Sequence, residues 1–160
     1  MPRGRETDTM GGDGLWLRLL PGAGGDGTVD LQARVRSGAF SGQGSDEFDV
    51  ETLRGFASAL TAFPLGAEAR RGIVAASWQV SDRGRREQVH VALSAYPINS
   101  RGELGVRVRV ATRANTHDRP EATHVAEVEL TTGYSAPGRF AEQLTSLLDG
   151  RVEEASLLPD

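Results

Sequence analysis

Apolar and polar residues alternate along much of this chain, which is the pattern of β-strands with one buried face and one wet face. The clearest segment runs from Thr28 to Ser37, where every second residue is apolar. Similar segments predict further strands at 15–20, 45–48, 72–81, 87–96, 103–113 and 123–132. The short links between the last four strands predict an antiparallel meander, because parallel strands need long crossovers.

Two segments change to the helical period. From Asp49 to Phe63 the apolar stripe is Leu53, Phe56, Leu60 and Phe63, with Asp49 as the expected N-cap. From Pro137 to Asp149 the stripe is Phe140, Leu144, Leu147 and Leu148. We therefore predict an α+β fold, with one antiparallel sheet of about six strands and both helices packed on one face. The predicted order is ββ(β)αββββα.

Length and composition limit the organisation of the chain. The 160 residues are enough for one ordinary domain, which we place at 14–150, between a mobile leader at 1–13 and an acidic tail at 151–160. Without cysteine, the chain has no disulfides or thiolate sites. No apolar run reaches the ~20 residues of a membrane helix, and the expected location is the cytoplasm.

The charge balance argues against a protein that mainly binds phosphate backbones. The chain has 22 acidic and 18 basic residues, a net charge of −4, and every basic residue is arginine. Arginine presents planar, bidentate donors that are suited to pairing with carboxylates.

Residue types that carry catalysis or bind cofactors show no known motif here. No Gly-x-Ser-x-Gly elbow occurs, and the glycine-rich segment 22–27 precedes a strand rather than a helix. The three histidines, His90, His117 and His124, do not have a recognised metal-ligand spacing. His90 lies between Val89 and Val91 and is predicted on the wet face of its strand. We expect no enzyme activity, no metal and no cofactor.

The outer face of the predicted sheet mixes aromatic and arginine side chains, as single-strand RNA platforms do. An RNA or small-ligand site there would use Trp16, Arg34, Arg36, His90, Tyr96, Arg107 and Arg109. Acidic residues such as Glu127 and Glu129 share this face. Cross-strand Arg–Glu pairing explains the same residues without a ligand and is the favoured interpretation.

One stretch of the chain resembles a known family. The segment Arg36-Ser-Gly-Ala-Phe-Ser-Gly42, followed by Phe48-Asp-Val-Glu-Thr-Leu-Arg-Gly-Phe-Ala57, is similar to the small bacterial immunity proteins of polymorphic and contact-dependent toxin systems, in particular the WapI-like group. The C-terminal helical segment Arg139-Phe-Ala-Glu-Gln-Leu-Thr-Ser-Leu-Leu148 is also similar. The resemblance covers about residues 15–150, at core and turn positions.

The resemblance implies a cytoplasmic, non-catalytic inhibitor that binds the C-terminal toxin domain of a partner protein. For a nuclease toxin, an acidic surface that competes with phosphate is expected. The partner-binding candidates are then Asp46, Glu47, Asp49, Glu51, Glu153 and Glu154. We expect Asp46, Glu47 and Glu51 to form an acidic, partner-facing surface near the start of the first helix.

Overall fold

A computed structural model describes residues 12–21, 27–81, 84–112 and 123–159. The strands of these ranges are β1 (Gly14–Leu20), β2 (Thr28–Ser37), β3 (Phe40–Asp49), β4 (Ile73–Ser81), β5 (Gly84–Pro97), β6 (Leu104–Ala111), β7 (Val125–Thr132) and β8 (Ala155–Leu157). The helices are α1 (Val50–Ala59), α2 (Ala67–Arg71) and α3 (Ser135–Leu148). The α+β class is as predicted.

The strands form two antiparallel sheets of four, in the orders β3-β2-β1-β8 and β4-β5-β6-β7. The prediction of a single six-stranded sheet is therefore wrong in detail. The strand predicted at 45–48 is longer in the structure, because the preceding segment 40–44 also belongs to β3, which pairs with β2 along its whole length. The helical segment after β3 then carries the chain to a second sheet.

The two sheets pack with their inner faces together, and β3 crosses β5, β6 and β7. Two glycines of β3 allow the close approach. A Cβ added at Gly44 would lie 2.6 Å from the carbonyl oxygen of His90 and 2.9 Å from that of Ala111. A Cβ at Gly42 would lie 2.6 Å from the Cβ of Ala126. These positions have room only for glycine.

The two long helices pack on each other, and α3 also lies along β8. Most of both predicted stripes is buried, namely Leu53, Phe56, Leu60, Phe140, Leu144 and Leu147. The burial predicted for Phe63 is wrong. Because α1 ends at Ala59, Phe63 lies beyond the helix, is 80% exposed and meets the ring of Tyr134 edge to face at 4.7 Å.

The tail predicted at 151–160 contributes to the fold, since Ala155–Leu157 forms β8 and pairs with β1. Ala155 and Leu157 are buried. Of the predicted leader, residues 1–11 lie outside the described residues, and Asp13 accepts a hydrogen bond from the backbone N–H of Gly38 at 2.9 Å. No helix in the described ranges is both long and apolar enough to cross a membrane.

Candidate functional site

The outer face of the first sheet carries an arginine-rich end beside the β2–β3 hairpin. Inward residues of β2 such as Val35 are buried, so the alternate residues Arg34 and Arg36 project from the opposite face. The guanidinium carbon of Arg34 lies 4.9 Å from the ring centroid of Trp16, within the range of a cation–π contact. These three residues line a groove of about 490 Å³ that Ala39 and Gln43 also border.

Acidic residues are missing from the strand positions opposite these arginines. Arg34 lies opposite Trp16 in β1 and Gln43 in β3, and Arg36 likewise lies between uncharged residues. Within the described part of the chain Arg34 has no carboxylate partner. Each of four other arginines has one, namely Arg18, Arg54, Arg107 and Arg109. We call Trp16, Arg34 and Arg36 the cationic end of the face.

The same face becomes acidic toward the start of α1. Asp30 of β2 lies directly opposite Glu47 of β3, and Asp49 follows on the same side of β3. Like charges that face each other across a strand pair destabilise the sheet. Glu47 accepts a hydrogen bond from the hydroxyl of Thr28 at 2.7 Å, which does not neutralise its charge. We call Asp30, Glu47 and Asp49 the acidic end.

Three of the predicted acidic candidates lie at or beside the acidic end. Asp49 directly precedes α1 as predicted, although its side chain makes no capping hydrogen bond. Glu51 is exposed in the first turn, where the helix dipole favours a negative charge. Glu153 and Glu154 lie elsewhere, beside β8 at the opposite edge of the first sheet, and Glu154 pairs with Arg18 at 3.0 Å.

Asp46 is not part of the exposed acidic surface that we predicted. Strand alternation turns it inward, and its side chain is only 11% exposed. One carboxylate oxygen accepts a hydrogen bond from the Nδ1 of His90 at 2.6 Å, and the other from the backbone N–H of Glu47 at 2.7 Å. Asp46 therefore joins the two sheets and is not available to a partner.

The wet-face prediction for His90 is also wrong, because a β-bulge reverses the alternation. Pairing between β4 and β5 passes from Ala75–Val91 to Ala76–Val89, so His90 is the extra residue of the bulge. Its ring points toward β3 and is fully buried. No local feature of the sequence marks the bulge, and only the pairing of β4 with β5 reveals it.

The buried pair extends into a polar cluster whose distances resemble those of a Ser-His-Asp triad. The Nε2 of His90 lies 3.0 Å from the side-chain oxygen of Gln88 and 3.4 Å from the hydroxyl of Ser77. At 3.4 Å the hydroxyl of Ser77 lies beyond the ordinary length of a hydrogen bond from a hydroxyl, and the Gln88 oxygen is the closer neighbour of Nε2. The Gln88 amide nitrogen lies 3.2 Å from the hydroxyl of Thr123 and donates to the backbone carbonyl of Thr112 at 3.4 Å, and this carbonyl, which can only accept, sets the orientation of the amide. The arrangement does not activate Ser77 as a nucleophile.

The outer face of the second sheet shows the cross-strand pairing that we favoured. Arg107 and Arg109 of β6 both pair with Glu127 of β7, at 3.1 and 2.9 Å. Tyr96 donates a hydrogen bond to Glu129. The pKa of the Tyr96 phenol is raised above its ordinary value. Burial is the largest cause, and the hydrogen bond to Glu129 is the second. This face is occupied by its own ion pairs, and the predicted RNA surface is divided between two sheets.

The remaining histidines add no metal centre in the residues that the structure describes. His124 is exposed just before β7, whereas His117 lies outside the described residues. No group of three potential ligands occurs in those ranges. Comparisons of the chain with protein-family models, curated proteins and solved structures gave no match.

Proposed function

We propose that this protein is a cytoplasmic, non-catalytic binding module that captures another protein on the outer face of its first sheet. More specifically, we propose an immunity protein that neutralises a cognate toxin domain. The observation that carries the proposal is the opposition of Asp30 and Glu47 in the free protein. A pair of like charges that weakens the sheet is expected where a partner supplies the missing countercharge.

The cationic end supports the same surface. Trp and Arg are enriched among the residues that dominate protein interfaces, and Trp16 and Arg34 are already in contact. Trp16 is partly exposed and lines the groove together with Arg34 and Arg36. A partly exposed aromatic residue in an arginine-rich groove suits an interface centre better than a solvated surface. The acidic end then contributes electrostatic selection and association rate.

The test is a double neutralisation of the acidic end, Asp30→Asn with Glu47→Gln. We expect the free energy of unfolding to rise by about 0.2–1 kcal/mol, because the like-charge opposition is removed. Binding to the partner should weaken at least tenfold. The matched control is Glu142→Gln, an exposed acid on α3. Denaturation gives the first quantity, and calorimetry with the purified partner gives the second.

The partner is obtained by affinity capture from the native host, then purified and tested alone for a defined stoichiometry. For an immunity protein, co-expression with the captured toxin domain should restore growth of a sensitive cell. Unchanged affinity in the double variant would remove the acidic end from the interface. Retention of nucleic acid rather than protein would favour the second candidate below.

A single-stranded RNA or small-ligand site is the second candidate, favoured by the contact of Trp16 with Arg34 beside a groove. Bases stack on aromatic rings and guanidinium planes. Fluorescence anisotropy with labelled RNA oligonucleotides tests it directly, with Trp16→Ala as the variant. RNA binding that is lost in Trp16→Ala and insensitive to the acidic end would replace the protein-binding proposal.

A further inference from the structure

We infer that the partner presents an extended segment with a carboxylate and a cation four residues apart, which lies along β2. The carboxylate contacts Arg34 and the cation contacts Asp30 and Glu47. This inference rests on the proposed function and specifies the chemistry of the partner. It follows from the spacing of opposite charges along one strand.

The carboxylate position is defined by how Arg34 is held. Contact with the ring of Trp16 restricts the guanidinium before any ligand arrives, so less side-chain entropy is lost on binding. A guanidinium fork matches a carboxylate with two parallel hydrogen bonds. The nearby hairpin is also held, because Asp13 accepts the backbone N–H of Gly38.

The cation position is defined by strand geometry. Asp30 and Arg34 are four residues apart in β2 and project from the same face. Four residues of strand span about 13 Å, at roughly 3.3 Å per residue. A partner strand aligned with β2 repeats this spacing, and residues four apart in it also share one face. An acid and a base separated by four positions therefore meet both ends, whereas a separation of three turns one charge away.

Charge complementarity selects a protein segment over a nucleic acid. A single strand of RNA that follows β2 from Arg34 brings its next phosphates to Asp30 and Glu47, where they are repelled. A segment that carries both charges avoids this repulsion. The net charge of −4 agrees with this choice.

The experiment is a selection of twelve-residue peptides from a random phage-displayed library on the immobilised full chain. We expect enrichment of peptides with an acid and a base four positions apart, at least tenfold over spacing three. Parallel selections use Arg34→Glu and the matched control Arg101→Gln, which changes an exposed arginine in the β5–β6 turn. The motif should persist with Arg101→Gln. With Arg34→Glu it should give way to peptides with two bases.

Failure of this inference is distinguishable from failure of the proposed function. Enrichment without the spacing, the same motif on Arg34→Glu, or no enrichment at all would each overturn the inference. The protein-binding proposal would still stand if the purified natural partner lost affinity for the Asp30→Asn, Glu47→Gln variant. Unchanged partner affinity in that variant and in Arg34→Glu would overturn both.

Discussion

At the scale of single residues, the buried pair of Asp46 and His90 shows how one extra residue changes the chemistry of a strand. Alternation alone places His90 in water, and the bulge places it in the junction between two sheets. Both partners become inaccessible, and the carboxylate of Asp46 changes from a candidate binding group to a structural one. A buried charge is tolerated only when it is paired and hydrogen-bonded, as Asp46 is.

Removal of one partner of this pair should strongly destabilise the protein. We expect Asp46→Ala to lower the free energy of unfolding by about 1–3 kcal/mol, because the buried Nδ1 of His90 would lose its hydrogen-bond partner. The matched control is Asp149→Ala, which breaks the more exposed pair with Arg54 and should cost about 1 kcal/mol or less. Urea denaturation measures both. Equal losses in the two variants would show that Asp46 is solvated.

At the scale of elements, the hydrophobic pattern predicts the long strands and helices but not the short strand β8. The long alternation of β2 and the helical stripes of α1 and α3 predict those elements, because each has many residues in one period. The three residues of β8 are too few to show a period. β8 forms because it pairs with the edge of β1 that β2 leaves free and because the side chain of Leu157 is buried in the core.

Adjacent leucines provide a test of β8. Leu157→Ala should lower the free energy of unfolding by about 2–5 kcal/mol, since Leu157 is 1% exposed. Leu158 is 53% exposed, and Leu158→Ala should change the stability by less than about 0.5 kcal/mol. Thermal or urea unfolding gives the comparison. Similarly small effects at both positions would show that β8 does not pack in the core and that this segment is the tail that the sequence predicts.

At the scale of the whole molecule, the two sheets form one core because β3 passes directly over the second sheet. The glycines at 42 and 44 make this crossing possible. Their place in the sequence, after a hairpin and before a helix, is typical of a flexible link. Their role as contact points depends on strands that follow much later in the chain.

Gly44→Ala should therefore destabilise the whole fold rather than one sheet. The added methyl group meets backbone atoms, which do not move aside, and we expect a loss of about 1–3 kcal/mol in one cooperative transition. Gly55→Ala is the control, since Gly55 lies in α1 with no atom near its absent Cβ. Gly55→Ala should raise the free energy of unfolding by about 0.5–1 kcal/mol. Circular dichroism and tryptophan fluorescence should report the same midpoint, and a neutral Gly44→Ala would contradict the crossing.

The sequence likewise predicts only part of the candidate site. The sequence places Trp16, Arg34 and Arg36 on an outer face, because alternation fixes the side from which each residue of a strand projects. It also finds acids before α1. It does not show that Asp30 opposes Glu47 or that Arg107 is paired with Glu127, since both facts depend on the register between strands.

The sequence by itself determined the α+β class, the two long helices, most strands and the alternation of their faces, because these depend on residues close together in the chain. Only the tertiary structure decided the division into two sheets, the inward turn of His90 and the opposite charges at the two ends of one face. Each of these arises where distant segments meet. Strand partners, bulges and close backbone approaches are fixed by those meetings, and the surface offered to a partner follows from them.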